Sequence, residues 1–161
     1  MTPPLAYHLI WTTYGTWLPG DARGWIKSGV LGIQSPDPAL EQQARDMMAE
    51  AEVRLTPAQR AAVELTIRKH CHIRNWILHA VNVRSNHVHV VVTCACDGEK
   101  ARDELNLWGS RCLSDLAGLT TPVARKAGRR HWWTEKGDIN AMDEPAYLKN
   151  AVEYVTNLQG D

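Results

Sequence analysis

Two histidines stand one residue apart in the stretch 85-SNHVHVVVTC-94. An imidazole is costly to bury in an apolar strand unless its nitrogens find partners. Side chains alternate along a strand, so His87 and His89 point to the same face, about 7 Å apart along the chain. Val88, Val90 and Val92 point the other way and suit a core. Two neutral imidazoles at that spacing can grip one divalent cation. Two ligands leave several positions on the ion open, which suits a catalytic ion polarising a carbonyl or phosphoryl oxygen. Imidazole alone would favour zinc, nickel, copper or iron. The bare spacing also fits surface histidines that happen to alternate. Asn86, just before the pair, adds a third polar group to a valine-rich strand.

A polarised phosphoryl group needs a nucleophile. Tyr147 and Tyr154 share one side of a helix expected near the end of the chain. Leu148, Ala151, Val152, Val155 and Leu158 form its apolar stripe, and Tyr154 lies roughly 100° from the stripe's centre. A tyrosine at that edge can pack its ring and project its hydroxyl into a cleft, or it can simply pack. A free phenol titrates near ~10 and is a poor nucleophile. It would need a metal ion or a nearby base to activate it.

The elements that position these groups can be read from pattern and punctuation. Residues 5–13 read as a strand, followed over 14–38 by a Gly-, Pro- and Trp-rich loop or short hairpin. Residues 38–53 have helical composition, and a second helix starts at Thr56, with Pro57 at its first position, and runs to about Cys71. Strands at 75–83 and 86–93 form a tight hairpin around Arg84 and Ser85. A helix over 99–117 carries Leu105, Trp108, Cys112 and Leu116 on one side. A basic stretch then leads to a short strand at 131–137, and a helix over 144–159 closes the chain. This order suits an α+β sandwich of the split βαβ type: an antiparallel sheet with helices on one face.

The chain has 161 residues, which suits a single domain over 1–161 with a real core. Its 18 basic and 18 acidic residues balance, so attraction for a polyanion must come from local clusters. Two exist, Arg68–Arg74 and Arg125–Arg130. The start of the chain is no signal peptide, and no apolar run is long enough to span a bilayer, so a cytoplasmic protein with no membrane partner is expected. Four cysteines in such a protein should be reduced thiols. Cys94 and Cys96 would face away from the histidines and lack a second pair for zinc, so they read as structural.

In this order the motifs resemble the small single-tyrosine HUH transposases, including the REP-associated tyrosine transposases. The name describes His87-Val88-His89, here preceded by Asn86. The segments 11-WTTYGTWLPGDARGW-25, 132-WWTEKGDINAMD-143 and 151-AVEYVTNLQG-160 resemble the opening signature of one subgroup, the family's last strand and its tyrosine helix. The resemblance spans nearly the whole chain. It implies a ferredoxin-like sandwich with the HUH motif on a central strand. It further implies Mg2+ or Mn2+ held by His87 and His89, and attack by Tyr154 on single-stranded or hairpin DNA, leaving a 5′-phosphotyrosine. In relatives a glutamine four residues after the tyrosine completes the metal shell. Position 158 is leucine here, so Gln159 is the expected third ligand, with Asn157 as the alternative. Tyr154 is preferred to Tyr147 because only Tyr154 is followed by V-x-N-x-Q. DNA contacts are expected from Arg125, Lys126, Arg129 and Arg130 beside Trp132, and from Arg23 in the Trp17–Trp25 loop. Base stacking and core packing remain open for each tryptophan. A non-cutting hairpin-binding relative, and a water-using phosphoesterase, are the competing readings. The state is monomer or homodimer.

Overall fold

The computed structural model describes residues 2–129 and 131–158. The chain runs through β1 (Ala6–Thr12), the short β2 (Trp25–Ile26) and β3 (Ile33–Gln34), α1 (Pro38–Asp46), α2 (Pro57–Ile73), β4 (Ile77–Val83), β5 (His87–Thr93), α3 (Gly98–Leu116), α4 (Pro122–Ala127), β6 (Asp138–Met142) and α5 (Pro145–Thr156). Four strands form an antiparallel sheet in the order β4-β5-β1-β6, and β2 pairs with β3 as a separate ribbon. The sheet strands with α2 and α3 give β-α-β-β-α-β, the ferredoxin-like arrangement. The expected α+β class and antiparallel sheet are both present.

Alternation divides the sheet into two faces. Leu9 and Trp11 of β1 and Val88, Val90 and Val92 of β5 are buried in one core with Val63 and Ile67 of α2 and Leu105 and Leu113 of α3. The expectation of helices on one face describes α2 and α3. Helix α5 departs from it: Val155, Leu148, Ala151 and Val152 pack across the other face on Ala6, Ala80, Val91 and Met142. Cys94 and Cys96 pack against the α2–α3 core, on the side away from the histidines. All four cysteines are free, and burial pushes the Cys71 thiol up to about 11 and Cys94 to about 12, which suits inert packing groups.

Local chemistry sets the element ends. Thr56 caps α2 with a reciprocal pair of bonds: its hydroxyl accepts from the Gln59 N–H, and the Gln59 side chain accepts from the Thr56 N–H. The hairpin between β4 and β5 closes when the Arg84 N–H donates to the His87 carbonyl, 2.8 Å. Helix α1 stops at Asp46, short of the expected 53, because the chain there becomes an extended strap. Val53 and Leu55 are buried in that strap, and their N–H groups donate to Tyr14 and Ser85. The strand expected at 131–137 is absent. Trp133 makes only a single bridge to Thr13, and Lys136 and Gly137 take positive φ (65° and 147°) before β6 begins at Asp138. A Cβ at Gly137 would lie 2.4 Å from the Ile10 carbonyl oxygen, so this turn requires glycine. Part of the basic stretch forms α4, capped by the Thr121 hydroxyl. No helix among the described residues is long and apolar enough to cross a membrane.

The fully buried Leu105 anchors α3 to the sheet. Leu105→Ala is expected to lower the unfolding free energy by about 2–5 kcal/mol. Leu107→Ala, on the exposed side of the same helix, should change it by about 0.5 kcal/mol or less. Urea denaturation of both variants measures the contrast.

Candidate active site on the histidine face of the sheet

Strand β5 is interior, flanked by β1 and β4. Its register sets Ile10 and Asn82 either side of His89, and Thr12 beside His87. With Val88, Val90 and Val92 fully buried beneath the helices, His87 and His89 are committed to the opposite face. Their ring centroids are 4.8 Å apart with planes at 78°, so the rings converge. His89 is buried and His87 half-buried.

Each ring has a nitrogen held by a neighbour. The Asn86 amide oxygen accepts from His87 Nδ1 at 2.6 Å, because an amide oxygen can only accept. The proton of a neutral His87 is therefore on Nδ1 and its lone pair on Nε2. His89 Nδ1 lies 3.0 Å from Nε2 of a third histidine, His8. His8 was not singled out in the sequence. It sits on β1, two residues before Ile10, and reaches the site because β1 pairs with β5 in this register. Burial lowers His89 to about 3, helped by positive charge at His87, His8 and Arg84. Burial also lowers His8, against the opposing pull of the Asp138 carboxylate. His89 is thus neutral at physiological pH, the state a metal ligand needs. The converging rings of His87 and His89 could together present lone pairs to one divalent cation. No further His, Cys, Asp or Glu joins them in a cluster of three or more suited to a metal, among the described residues.

Helix α5 carries the phenol to the same place. Its apolar stripe lies on the sheet, and the Asn82 side-chain N–H donates to the Val155 carbonyl at 2.9 Å. That carbonyl belongs to the last turn, where helix carbonyls lack intrahelical partners. Asn82 faces the histidines, so it pins the end of α5 beside them. The Tyr154 ring stands 5.8 Å from His89 and 6.3 Å from His8, both edge-on, and remains 56% exposed. Tyr147 has no ring contact with these histidines among the described residues. Helix α5 ends at Thr156, with Asn157 as its cap, so the expected helix to 159 is shorter. Gln159, the expected third ligand, lies outside the described residues, as does Arg130.

The expected DNA-contacting residues lie elsewhere. Arg23 is gripped by Asp21 at 2.7 Å, donates to the Thr16 carbonyl and covers the Trp17 ring at 3.9 Å. Arg129 donates to the Ala51 and His131 carbonyls and lies over the rings of Tyr14 and Trp132. Trp132 is buried, and its indole donates to Ser114, so its ring belongs to the core in this arrangement. Lys126 is exposed on α4. The two basic clusters meet at a groove of about 1090 Å³ between α2 and α3, on the side away from the histidines. Lys69, Arg111 and the exposed Trp108 line it, with Arg74 held by Glu104 and Arg125 by Asp115. Trp108, on the helix side expected to pack, is 41% exposed.

No protein-family model matches the chain, and no curated protein matches it. Among solved structures it is similar to a candidate transposase from Deinococcus radiodurans R1, at 15% identity and a TM-score of 0.47, over 100% of this chain and 95% of that one. A likeness of that size leaves the site to be argued from its own geometry.

The buried, neutral His89 has a consequence for stability. In the unfolded chain its ring takes a proton near ~6.5, whereas the folded ring resists until about 3. The unfolded state therefore binds more protons over that window, so this part of the stability is present above ~6.5 and is lost as pH falls towards 3. In metal-free buffer the urea midpoint should drop between pH 7 and pH 5. His89→Gln should lessen that drop; a variant with an unchanged pH profile would contradict the assignment.

Proposed function

We propose that the chain is a DNA strand-transfer enzyme of the HUH transposase type, nicking and rejoining single-stranded DNA next to a hairpin. The observation that carries this reading is the Tyr154 ring, 5.8 Å from the paired His89 and 56% exposed towards solvent. A phenol so placed can meet a phosphate seated against the histidine face. The motif order of the sequence supports the same reading. His87 and His89 would hold Mg2+ or Mn2+ with a side chain from beyond α5, Gln159 or Asn157, and the bound ion would polarise the scissile phosphate.

The chain's own residues supply the rest. Tyr154 Oη attacks phosphorus, forming a P–O(Tyr) bond and breaking the P–O3′ bond. The phenol loses its proton, and the departing 3′ oxygen gains one. One phosphoester replaces another, so no ATP is needed and a 3′-OH can reverse the step on the same or another strand. The packing of α5 and the Asn82 bond hold the nucleophile near its target, which removes much of the entropy cost of the encounter. Lys126 and Arg130 would add phosphate contacts, and Arg125 and Arg129 would do so by giving up their bonds to Asp115 and to the Ala51 and His131 carbonyls. Arg23 would contribute only by exchanging its Asp21 partner for a phosphate.

The second reading is a binding module that holds hairpin DNA or RNA without cutting. The α2–α3 groove favours it, because Trp108, Lys69 and Arg111 offer stacking and phosphate contacts away from the histidines. Incubation of the protein with Mn2+ and single-stranded DNA from the flanks of its own gene separates the readings. The strand-transfer reading expects nicking that Tyr154→Phe and His87→Ala each reduce below detection, with hairpin binding by Tyr154→Phe unchanged. Nicking that survives Tyr154→Phe would point to water as the nucleophile. Equal nicking in chelator would remove the metal, and tight binding with no cutting by the unaltered protein would favour the binding module.

A further inference from the structure

We propose that His8 is a positioning residue for the metal site: its Nε2 accepts the Nδ1 proton of His89, fixing the tautomer in which His89 presents its Nε2 lone pair to the ion. This rests on the metal reading of the histidine pair. The two candidate ligands are treated alike by their surroundings. Asn86 takes the Nδ1 proton of His87, 2.6 Å away, and His8 stands 3.0 Å from the Nδ1 of His89. A neutral imidazole carries one proton, so the partner on one nitrogen decides what the other can do. Were His8 the donor, the His89 proton would move to Nε2 and that nitrogen could no longer bind a cation.

Three further observations bear on how His8 meets His89. Its ring is tilted only 34° from His89, at a centroid separation of 5.3 Å, which suits a nitrogen-to-nitrogen bond near the ring planes. Burial is the larger influence on His8 and disfavours a positive ring, while the Asp138 carboxylate, opposite Ile10 on β6, pulls the other way. An acceptor at Nε2 keeps its own proton on Nδ1, and a nearby carboxylate stabilises that polarity. Finally, His89 is 4% exposed, so in the folded chain its Nδ1 depends on a protein partner. His8 thus stands to His89 as the outer partner that orients metal-binding histidines elsewhere.

The test has two arms. Long-range 15N–1H correlation spectra of the metal-free protein report the tautomer of each ring. The proposal expects Nδ1–H for His89 and Nδ1–H for His8; an Nε2–H His89 would overturn it with no metal present. In the second arm Mn2+ binding is measured by calorimetry on folded variants, checked by circular dichroism. His8→Ala should weaken binding by about 10- to 100-fold, and His8→Gln, whose amide oxygen can accept the same proton, should recover most of it. Wild-type affinity in His8→Ala, alongside loss of binding in His87→Ala, would defeat the role of His8 and leave the metal reading standing. Wild-type affinity in both variants would defeat the metal reading, and the tautomer of His89 would still decide the hydrogen bond.

Discussion

Val88, Val90 and Val92 are each fully shielded beneath α2 and α3, and a strand that buries those three must send His87, His89 and Val91 to its other side. That alternation is the constraint from which the site follows. Because β5 is interior, its backbone is bonded on both edges and the two imidazoles are held on a rigid base. The far face carries Ala6, Ala80, Val91 and Met142, an apolar strip too short to seal the sheet by itself. Helix α5 covers that strip and stops where the histidines begin.

The boundary between apolar strip and polar cluster decides what Tyr154 can do. Val155 is fully buried, whereas its neighbour Tyr154 is more than half exposed. The helix therefore grips the sheet through one residue and offers the next to solvent, beside His89 and His8. Asn82 ties the last turn down by a single bond to a backbone carbonyl. One such bond contributes about 1 kcal/mol, which orders the end of α5 without making it immovable. On the proposed strand-transfer reading, a nucleophile that attacks and later must release its DNA benefits from that balance.

Much of this arrangement was legible in the sequence because it follows from period and punctuation. The alternation of β5, the Thr56-Pro57 start of α2 and the apolar stripe of α5, apart from Leu158 past the helix end, are borne out, and they locate the histidine pair and Tyr154. What could not be read depended on register between distant strands. His8 looks like an ordinary polar residue in β1; only the pairing of Ile10 with His89 brings it to the site. Asn82 was hidden for the same reason. The last strand was placed too early because Trp132 and Trp133 look β-prone. Their burial comes instead from a loop that turns at Lys136 and Gly137, and β6 is a five-residue edge strand with three residues exposed, too short for its alternation to stand out. Trp132 was a stacking candidate by type, yet its indole is used internally by Ser114.

The most direct measurement of the central claim is the identity of the residue that becomes attached to DNA. The protein is incubated with Mn2+ and a single-stranded oligonucleotide carrying the hairpin, denatured, digested and analysed by mass spectrometry. The account predicts a covalent nucleotide on the peptide containing Tyr154, linked through a 5′ phosphate, and none when the DNA is omitted. An adduct on Tyr147 or any other residue, or cleaved DNA with no adduct under quenching conditions that trap phosphotyrosine, would contradict it.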